Sequence, residues 1–283
     1  MFQNLVTMRI IPFTKMSGSG NDFILVDNRE GLLHEGEAAK LAQVACPQHI
    51  SVGADGIILI EKALVSGHDY RMRIFNADGS EAEMCGNGSR CIAVFACQIN
   101  VAKEKQRIET IAGSLAAVVA TDGLSAKVQL SPPSRMELKK DVNVLGQKYD
   151  LYFINTGVPH AVLFVPDVTK VDTRKMGACI RYHEIFKPKG SNVNFAQLLG
   201  NDTLRIRTYE RGVEDETFAC GTGATATAII ASLVHGYRSP VKVLTQSQAI
   251  LTIYFEQQND DVSAPFLEGA VDTIYKGEFY WRE

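Results

Sequence analysis

Asn76-Ala-Asp-Gly-Ser-Glu-Ala-Glu-Met-Cys85-Gly-Asn-Gly-Ser-Arg90 decides how this chain is read, because a second version follows as Tyr209-Glu-Arg-Gly-Val-Glu-Asp-Glu-Thr-Phe-Ala-Cys220-Gly-Thr222. Each copy opens on a strand-like run in which Arg alternates with apolar residues, Arg71 to Phe75 and Leu204 to Tyr209. Each then makes an acidic, glycine-containing turn, reaches Cys-Gly-x-Gly, and passes into a small-residue helix. Ile92, Phe95, Ala96 and Ile99 have helical spacing, and Thr227, Ile230, Ala231 and Val234 repeat those offsets from Cys220. Both helices are apolar nearly all round, so other elements must enclose them. The second is rich in Thr and Ile, which are poor helix formers, so burial must stabilise it.

Working outward, Phe13 to Asn28 reads as strand, turn, strand around Ser17-Gly-Ser-Gly-Asn-Asp22, and Tyr152 to Val165 repeats this around Gly157. Gly18 and Gly20 hint at a dinucleotide loop, but the third glycine and a following helix are missing. Glu35 to Ala45 has the spacing of an amphipathic helix, and Ile57 to Ile60 that of a buried strand. Short strands are expected over 107–111, 115–120 and 126–130, and Gly236 is a natural helix stop. Two matched features in the same order make an internal repeat of roughly 135 residues. The fold class is therefore α+β, built from two duplicated domains. The boundary is placed at Pro132-Pro133, and the alternating run Leu267 to Phe279 is expected to return to the first sheet. That gives residues 1–130 plus 268–283 as one domain and 131–267 as the other.

With 283 residues, the chain has room for two ordinary cores. A net charge of -3 shows no basic excess, which argues against nucleic acid as a partner. The six cysteines, at 46, 85, 91, 97, 179 and 220, lack the density of a disulfide scaffold. Met1 to Pro12 does not read as a signal peptide, and no apolar run approaches membrane-spanning length. The expectation is a cytoplasmic protein with reduced thiols and no membrane association.

A single cysteine is ordinarily a small buried hydrophobe, and Cys46, Cys91, Cys97 and Cys179 are read that way. Cys85 and Cys220 differ because they match. Each precedes Gly-x-Gly, which lets backbone approach a ligand, and each starts a helix whose positive end favours a thiolate or a carboxylate. Metal binding fits poorly: Cys85, Cys91 and Cys97 point to different helix faces, and Cys46-Pro-Gln-His49 has no partner pair nearby. A hydrolase would need a nucleophile elbow, and a redox dithiol would favour Cys-x-x-Cys; neither occurs. Inversion at carbon remains. It needs two similar acid–base groups on opposite sides of a planar intermediate, and duplicated halves can deliver one each to a shared cleft. A thiol's ordinary pKa of about 8.5 lets one cysteine serve as thiolate base and the other as thiol acid. No pyridoxal-phosphate signature is recognisable, so the helix N-termini must stabilise charge building on the substrate carboxylate.

The sequence resembles the diaminopimelate epimerase family over essentially its whole length. The carriers are Lys15 to Phe23, Phe75 to Ser80, Met84 to Cys91, Tyr209 to Gly212 and Ala219 to Gly223. The resemblance implies two pseudo-symmetric domains, each a mixed or antiparallel sheet wrapped around a central helix. It implies interconversion of LL- and meso-diaminopimelate in lysine and peptidoglycan-precursor synthesis, with no cofactor and no metal. Carried over by motif, Cys85 and Cys220 are the acid–base pair, and Gly86-Asn87 and Gly221-Thr222 the backbone donors to the reacting carboxylate. Asn21, Asn76, Asn192 and Arg211 are ligands for the amino and carboxylate groups of a small amino-acid substrate, Arg211 being suited to bidentate binding. Glu210 is assigned to the substrate ammonium and to the acid–base site, and His160 supports that site. A homodimer is the expected assembly.

Two positions depart from the family pattern. Gly56 stands where other members carry Gln, and Val158 where they carry Asn before Pro-His. A site with fewer distal hydrogen bonds rejects shorter amino acids less well, so relaxed specificity is expected. Proline and hydroxyproline racemases, which have His where Asn87 stands, offer the alternative. A binding protein without turnover is the rival of a different class.

Overall fold

Runs of four to eight apolar or alternating residues, cut by glycine turns, become strands along most of this chain, and among the described residues four α-helices interrupt them. The computed structural model describes residues 8–259 and 261–282. It divides the chain into two compact units, Met1–Val128 with Val271–Glu283, and Gln129–Ala270.

In chain order the first unit holds β1 (Met8–Gly18), β2 (Asn21–Asp27), α1 (Glu37–Ala45), β3 (Gly56–Glu61), β4 (Tyr70–Asn76), β5 (Glu81–Ala82), α2 (Gly86–Gln98), β6 (Lys105–Thr110), β7 (Gly113–Val119) and β8 (Ser125–Gln129). The second holds β9 (Glu137–Val144), β10 (Gln147–Asn155), β11 (Pro159–Phe164), α3 (Thr173–Arg181), β12 (Asn192–Gly200), β13 (Thr203–Glu210), β14 (Asp215–Thr217), α4 (Gly221–His235), β15 (Val241–Leu244), β16 (Ile250–Tyr254), a short hairpin of β17 (Gln257–Gln258) and β18 (Asp261–Val262), and β19 (Phe266–Ala270). Strand β20 (Asp272–Arg282) belongs to the first unit.

Strands β1 and β2 form a hairpin whose loop residues, Ser19 and Gly20, have φ of 62° and 90°. Two residues in the left-handed region match the twist of the flanking strands, so this glycine-rich segment is a hairpin turn and not a nucleotide loop. Next come a parallel β2–β3 pair, an antiparallel β3–β4 pair and a parallel β4–β6 pair, continued antiparallel by β7 and β8. The second unit repeats this scheme. Strands β10 and β11 are antiparallel, β11–β12 parallel, β12–β13 antiparallel and β13–β15 parallel, with β16 and then β19 added antiparallel. In each unit the mixed parallel and antiparallel strands pack on one long helix. Helix α2 packs on β1, β2, β3, β4 and β7, and α4 on β10, β11, β12, β13, β15 and β16.

Burial wins over propensity in α4. Thr225, Thr227, Ile229 and Ile230 are all inaccessible, and each buried aliphatic side chain stabilises by about 1.5–3 kcal/mol, against a propensity penalty below about 0.7 kcal/mol. The two threonine hydroxyls donate to the carbonyls of Gly221 and Gly223 one turn back, so they are buried with partners. Gly236, with φ 70°, caps the helix C-terminus.

The final alternating run is two strands and not one. Strand β19 pairs with β16 in the second unit, the chain turns at Val271, and β20 pairs along β1 from Met8↔Arg282 to Ser17↔Asp272. Helix α1 starts at Glu37, later than expected, because Gly36 takes a left-handed conformation (φ 80°). Cys46 and Cys91 are buried as expected, whereas Cys97 and Cys179 are only half-buried.

Candidate active-site residues at two helix N-termini

Both motif cysteines are helix N-cap residues with extended backbone, Cys85 at φ -142° and ψ 120°, Cys220 at φ -121° and ψ 109°. The first helical bonds run from Ser89 N–H to the Cys85 carbonyl and from Ala224 N–H to the Cys220 carbonyl. The N–H groups of Gly86, Asn87, Gly221 and Thr222 therefore lie outside their helices' ladders, at the positive ends of dipoles that attract a carboxylate. The second glycine of each motif is needed for packing. A Cβ on Gly88 would lie 2.9 Å from Ile58 Cδ1, and one on Gly223 would lie 2.3 Å from Asn194 Oδ1.

In the first unit the half-buried Cys85 Sγ points at Asn21 Oδ1, 3.8 Å away, and Asn87 Nδ2 donates to that oxygen at 3.4 Å. The Asn21 amide is oriented from behind, since its Nδ2 donates to the Asp55 carboxylate, which also accepts from the Asp22 backbone N–H at 2.9 Å. Lys15, buried to 5% exposure, pairs with Asp22 at 2.6 Å and donates to the Gly53 carbonyl. Under the α2 N-terminus, Arg90 is fully buried; its Nη2 donates to Ser19 Oγ and Asn87 Oδ1, both at 2.9 Å. No carboxylate of a described residue forms an ion pair with Arg90, and its buried Nε has no partner there. Asn76 is exposed at the end of β4, and its Nδ2 donates to Ser80 Oγ at 2.9 Å across the acidic turn.

In the second unit the buried Cys220 Sγ lies 3.5 Å from Thr222 Oγ1, which in turn lies 3.0 Å from His160 Nε2. His160 Nδ1 is 3.1 Å from Asn194 Nδ2. The Thr156 hydroxyl donates to the Thr222 carbonyl at 3.0 Å, fixing the first helical turn against the end of β10. Asn192 is a brace: its Nδ2 donates to the Pro159 carbonyl at 3.0 Å and its Oδ1 accepts from the Arg211 backbone N–H at 2.8 Å. Arg211 itself is half-buried, and its guanidinium makes no hydrogen bond or ion pair with a described residue, so its fork is available to a carboxylate. Glu210 accepts from Thr217 Oγ1 at 3.0 Å.

Burial dominates the electrostatics. It pushes His160 down to about 3, with the Arg211 cation acting in the same direction, so the imidazole is neutral. It raises the Glu210 carboxyl, against a hydrogen bond from Thr217 that lowers it. It also lifts Cys46 to about 11 and Cys91 to about 12, which keeps both as unreactive thiols. Among the described residues no three His, Cys, Asp or Glu side chains are grouped to hold a metal ion, and no helix is long and apolar enough to cross a membrane.

Three partners were not anticipated from the sequence: Asp55 behind Asn21, Arg90 beneath Asn87, and Asn194 behind His160. Arg90 sits inside the motif, but its complete burial could not be read from an Arg in a polar run. Asn194 carried a usable signal, being a polar residue on a strand whose neighbours Val193, Phe195 and Ala196 are all apolar and buried.

The family model described as diaminopimelate epimerase matches residues 13–136 and 152–271, one segment in each half of the duplication. The chain belongs to the diaminopimelate epimerase family. It is 48% identical to the diaminopimelate epimerase of Aquifex aeolicus over 94% of this chain and 96% of that protein. It is 46% identical to that of Hydrogenobaculum sp., over 93% and 96%. Solved structures show the fold more widely. A phenazine biosynthesis protein of Bacillus anthracis, of the PhzF family, superposes with a TM-score of 0.73 at 16% identity, over 96% of this chain and 99% of that one. A hydroxyproline epimerase from Agrobacterium vitis superposes at 0.65 and 18%, over 97% and 92%. Diaminopimelate epimerases are isomerases, and this chain's duplicated α+β fold is the one those structures share.

Proposed function

We propose that this protein interconverts LL- and meso-diaminopimelate without a cofactor, with Cys85 and Cys220 as the acid–base pair. One observation carries this reading: each unit places its motif cysteine at the N-cap of an enclosed helix, preceding two N–H groups that the helix leaves unused. A thiolate removes the α-hydrogen from one face while the other thiol protonates the opposite face. Charge that builds on the carboxylate is met by N–H groups of Gly86 and Asn87, or of Gly221 and Thr222, and by the helix dipole behind them. Arg211 is suited to a carboxylate and the Glu210 carboxylate to an ammonium. Asn21 is held by Asp55 next to Cys85, where it can meet a polar group of the substrate. Asn192 supports Arg211 and contributes through that brace. The substrate is a small molecule; a cytoplasmic, homodimeric enzyme free of nucleic acid and membrane is the setting this reading supposes.

Position 56 bears on specificity. A Cβ on Gly56 would lie 2.5 Å from the Phe75 carbonyl oxygen, so the backbone itself occupies the place from which a Gln would reach out. With Val158 in place of an amide, the distal end of the substrate loses two hydrogen-bonding groups, which supports slow racemisation of single-centre amino acids. The test is inversion of LL-diaminopimelate followed by chiral chromatography beside proline, hydroxyproline and common amino acids. Conversion to the meso isomer, lost in both C85A and C220A, is the expected result. Turnover of proline but not diaminopimelate would overturn it in favour of a racemase, and absence of any inversion would favour a binding protein.

A further inference from the structure

Beneath the two cysteine caps the duplicated strands carry different chemistry. Strand registers give the equivalences. In the first unit Leu25 pairs with Ile58, and Ile58 with Ile74. In the second, Val162 pairs with Asn194, and Asn194 with Thr208. The motif glycines agree: Gly88 faces Ile58 and Ile74, whereas Gly223 faces Asn194. Two residues back along the preceding strand, Phe23 stands where His160 stands. The first unit thus buries Phe23, Ile58 and Ile74 where the second buries His160, Asn194 and Thr208. The duplicated fold requires no polar group at this place, and burying three is costly unless each is bonded.

Each bond in the polar set has one permitted direction. Asn194 Nδ2 lies 3.2 Å from the Ala161 carbonyl, which can only accept, so the amide nitrogen is fixed on that side. Thr208 Oγ1 donates to Asn194 Oδ1 at 2.9 Å. The second N–H of Nδ2 then meets His160 Nδ1 at 3.1 Å, which must accept with its lone pair. A neutral imidazole that accepts at Nδ1 carries its proton on Nε2. Nε2–H donates to Thr222 Oγ1 at 3.0 Å, and the hydroxyl's own proton is left for the Cys220 sulfur at 3.5 Å.

We propose that Asn194 is a positioning residue: it fixes the tautomer of His160 and thereby turns the Thr222 hydroxyl proton toward the Cys220 sulfur, so that this sulfur ionises more readily. Because burial holds His160 near 3, the imidazole stays neutral and the relay keeps its direction at every working pH. The other ionisable groups at this end of the unit are Glu210, whose carboxyl burial raises, and the Arg211 cation; neither touches Asn194 or Thr222. Cys85 has the opposite neighbour, an acceptor oxygen of Asn21, to which a thiol donates. In these two contacts one sulfur thus faces an acceptor and the other a hydroxyl donor. This inference rests on the acid–base role proposed for Cys220, but its test does not require turnover.

Two readouts test it on the full-length protein. Nitrogen-15 imidazole spectra identify His160 among the six histidines by its loss in His160→Gln. The wild type is expected as the Nε2–H tautomer, and Asn194→Leu as a mixture; an Nδ1–H tautomer in the wild type overturns the proposal. Alkylation of Cys220 by iodoacetamide, followed by peptide mass spectrometry against pH, reads the thiol directly. Thr222→Val should raise its apparent pKa by about one pH unit, the size of one hydrogen bond to a charged acceptor, while Thr222→Ser should leave it in place. Asn194→Leu should raise it in the wild type and add nothing on Thr222→Val. Independent, additive effects of the two substitutions, or an unmoved Thr222→Val, would overturn the relay. If Asn194→Leu fails to fold, the wild-type spectrum and the Thr222 pair still decide. An unmoved thiol pKa beside an inactive Cys220→Ala would sink the relay alone. An active Cys220→Ala would sink the acid–base reading on which the relay depends.

Discussion

A histidine buried neutral should make this protein acid-sensitive in a calculable way. His160 is inaccessible, and its pKa is about 3 in place of the ordinary 6.5. The unfolded chain takes up a proton near pH 6.5, which the folded protein cannot do until about 3. The contribution is therefore fully present above pH 6.5 and is lost as pH falls through that window. The slope is about 1.36 kcal/mol per pH unit, so the drop from pH 6.5 to 5 costs about 2 kcal/mol. For units of this size that corresponds to roughly 4–8 °C in melting temperature. The assay is urea or thermal unfolding of the wild type and His160→Gln at pH 7, 6 and 5. Carboxylates such as Asp27 and Glu37 titrate equally in both proteins and cancel in the difference. His160→Gln will be less stable at pH 7, but its stability should fall by about 2 kcal/mol less on acidification. Parallel curves for the two proteins would refute the claim that His160 is held neutral.

Arg211→Lys should lower kcat/KM by roughly ten- to a hundredfold, the value of a bidentate charge-assisted contact, with most of the loss in KM; unchanged steady-state kinetics would remove Arg211 from substrate binding. Gly56→Gln forces a Cβ against the Phe75 carbonyl and should destabilise by about 1–3 kcal/mol in urea unfolding, whereas a neutral result would mean that the β3–β4 pair yields easily. Arg90→Met removes the donors to Ser19 and Asn87 and should cost about 1–3 kcal/mol and reduce kcat; equal stability and activity would make Arg90 dispensable.

The duplication was legible because its signals are local. Cysteine, glycine and a small-residue helix recur at fixed offsets, and strand, turn and strand recur ahead of them. Glycine punctuation likewise revealed the hairpin at Ser19-Gly20 and the helix stop at Gly236. What escaped depends on non-local pairing. That Leu267 to Phe279 splits at Val271 between the two units follows from partners β16 and β1, more than 10 residues and the whole chain away respectively. The local partners of Asn76 and Asn192 were also out of reach. Both are amides at strand ends with ligand chemistry, and within the protein one bonds Ser80 across a turn while the other bonds Pro159 and Arg211. Family motifs mark such residues without saying whether they touch substrate or hold what does. Asn194 lies outside the motifs altogether, and only the β12–β13 register places it under Cys220's helix.

The most direct test of the two-thiol reaction is the position of deuterium after the first few per cent of conversion of LL-diaminopimelate in heavy water. A base on one face and a separate acid on the other deliver solvent deuterium to the α-carbon of the meso product while the recovered LL substrate stays unlabelled. Product that keeps its original protium would mean that one group removes and returns the same hydrogen, and the paired-cysteine account would be wrong.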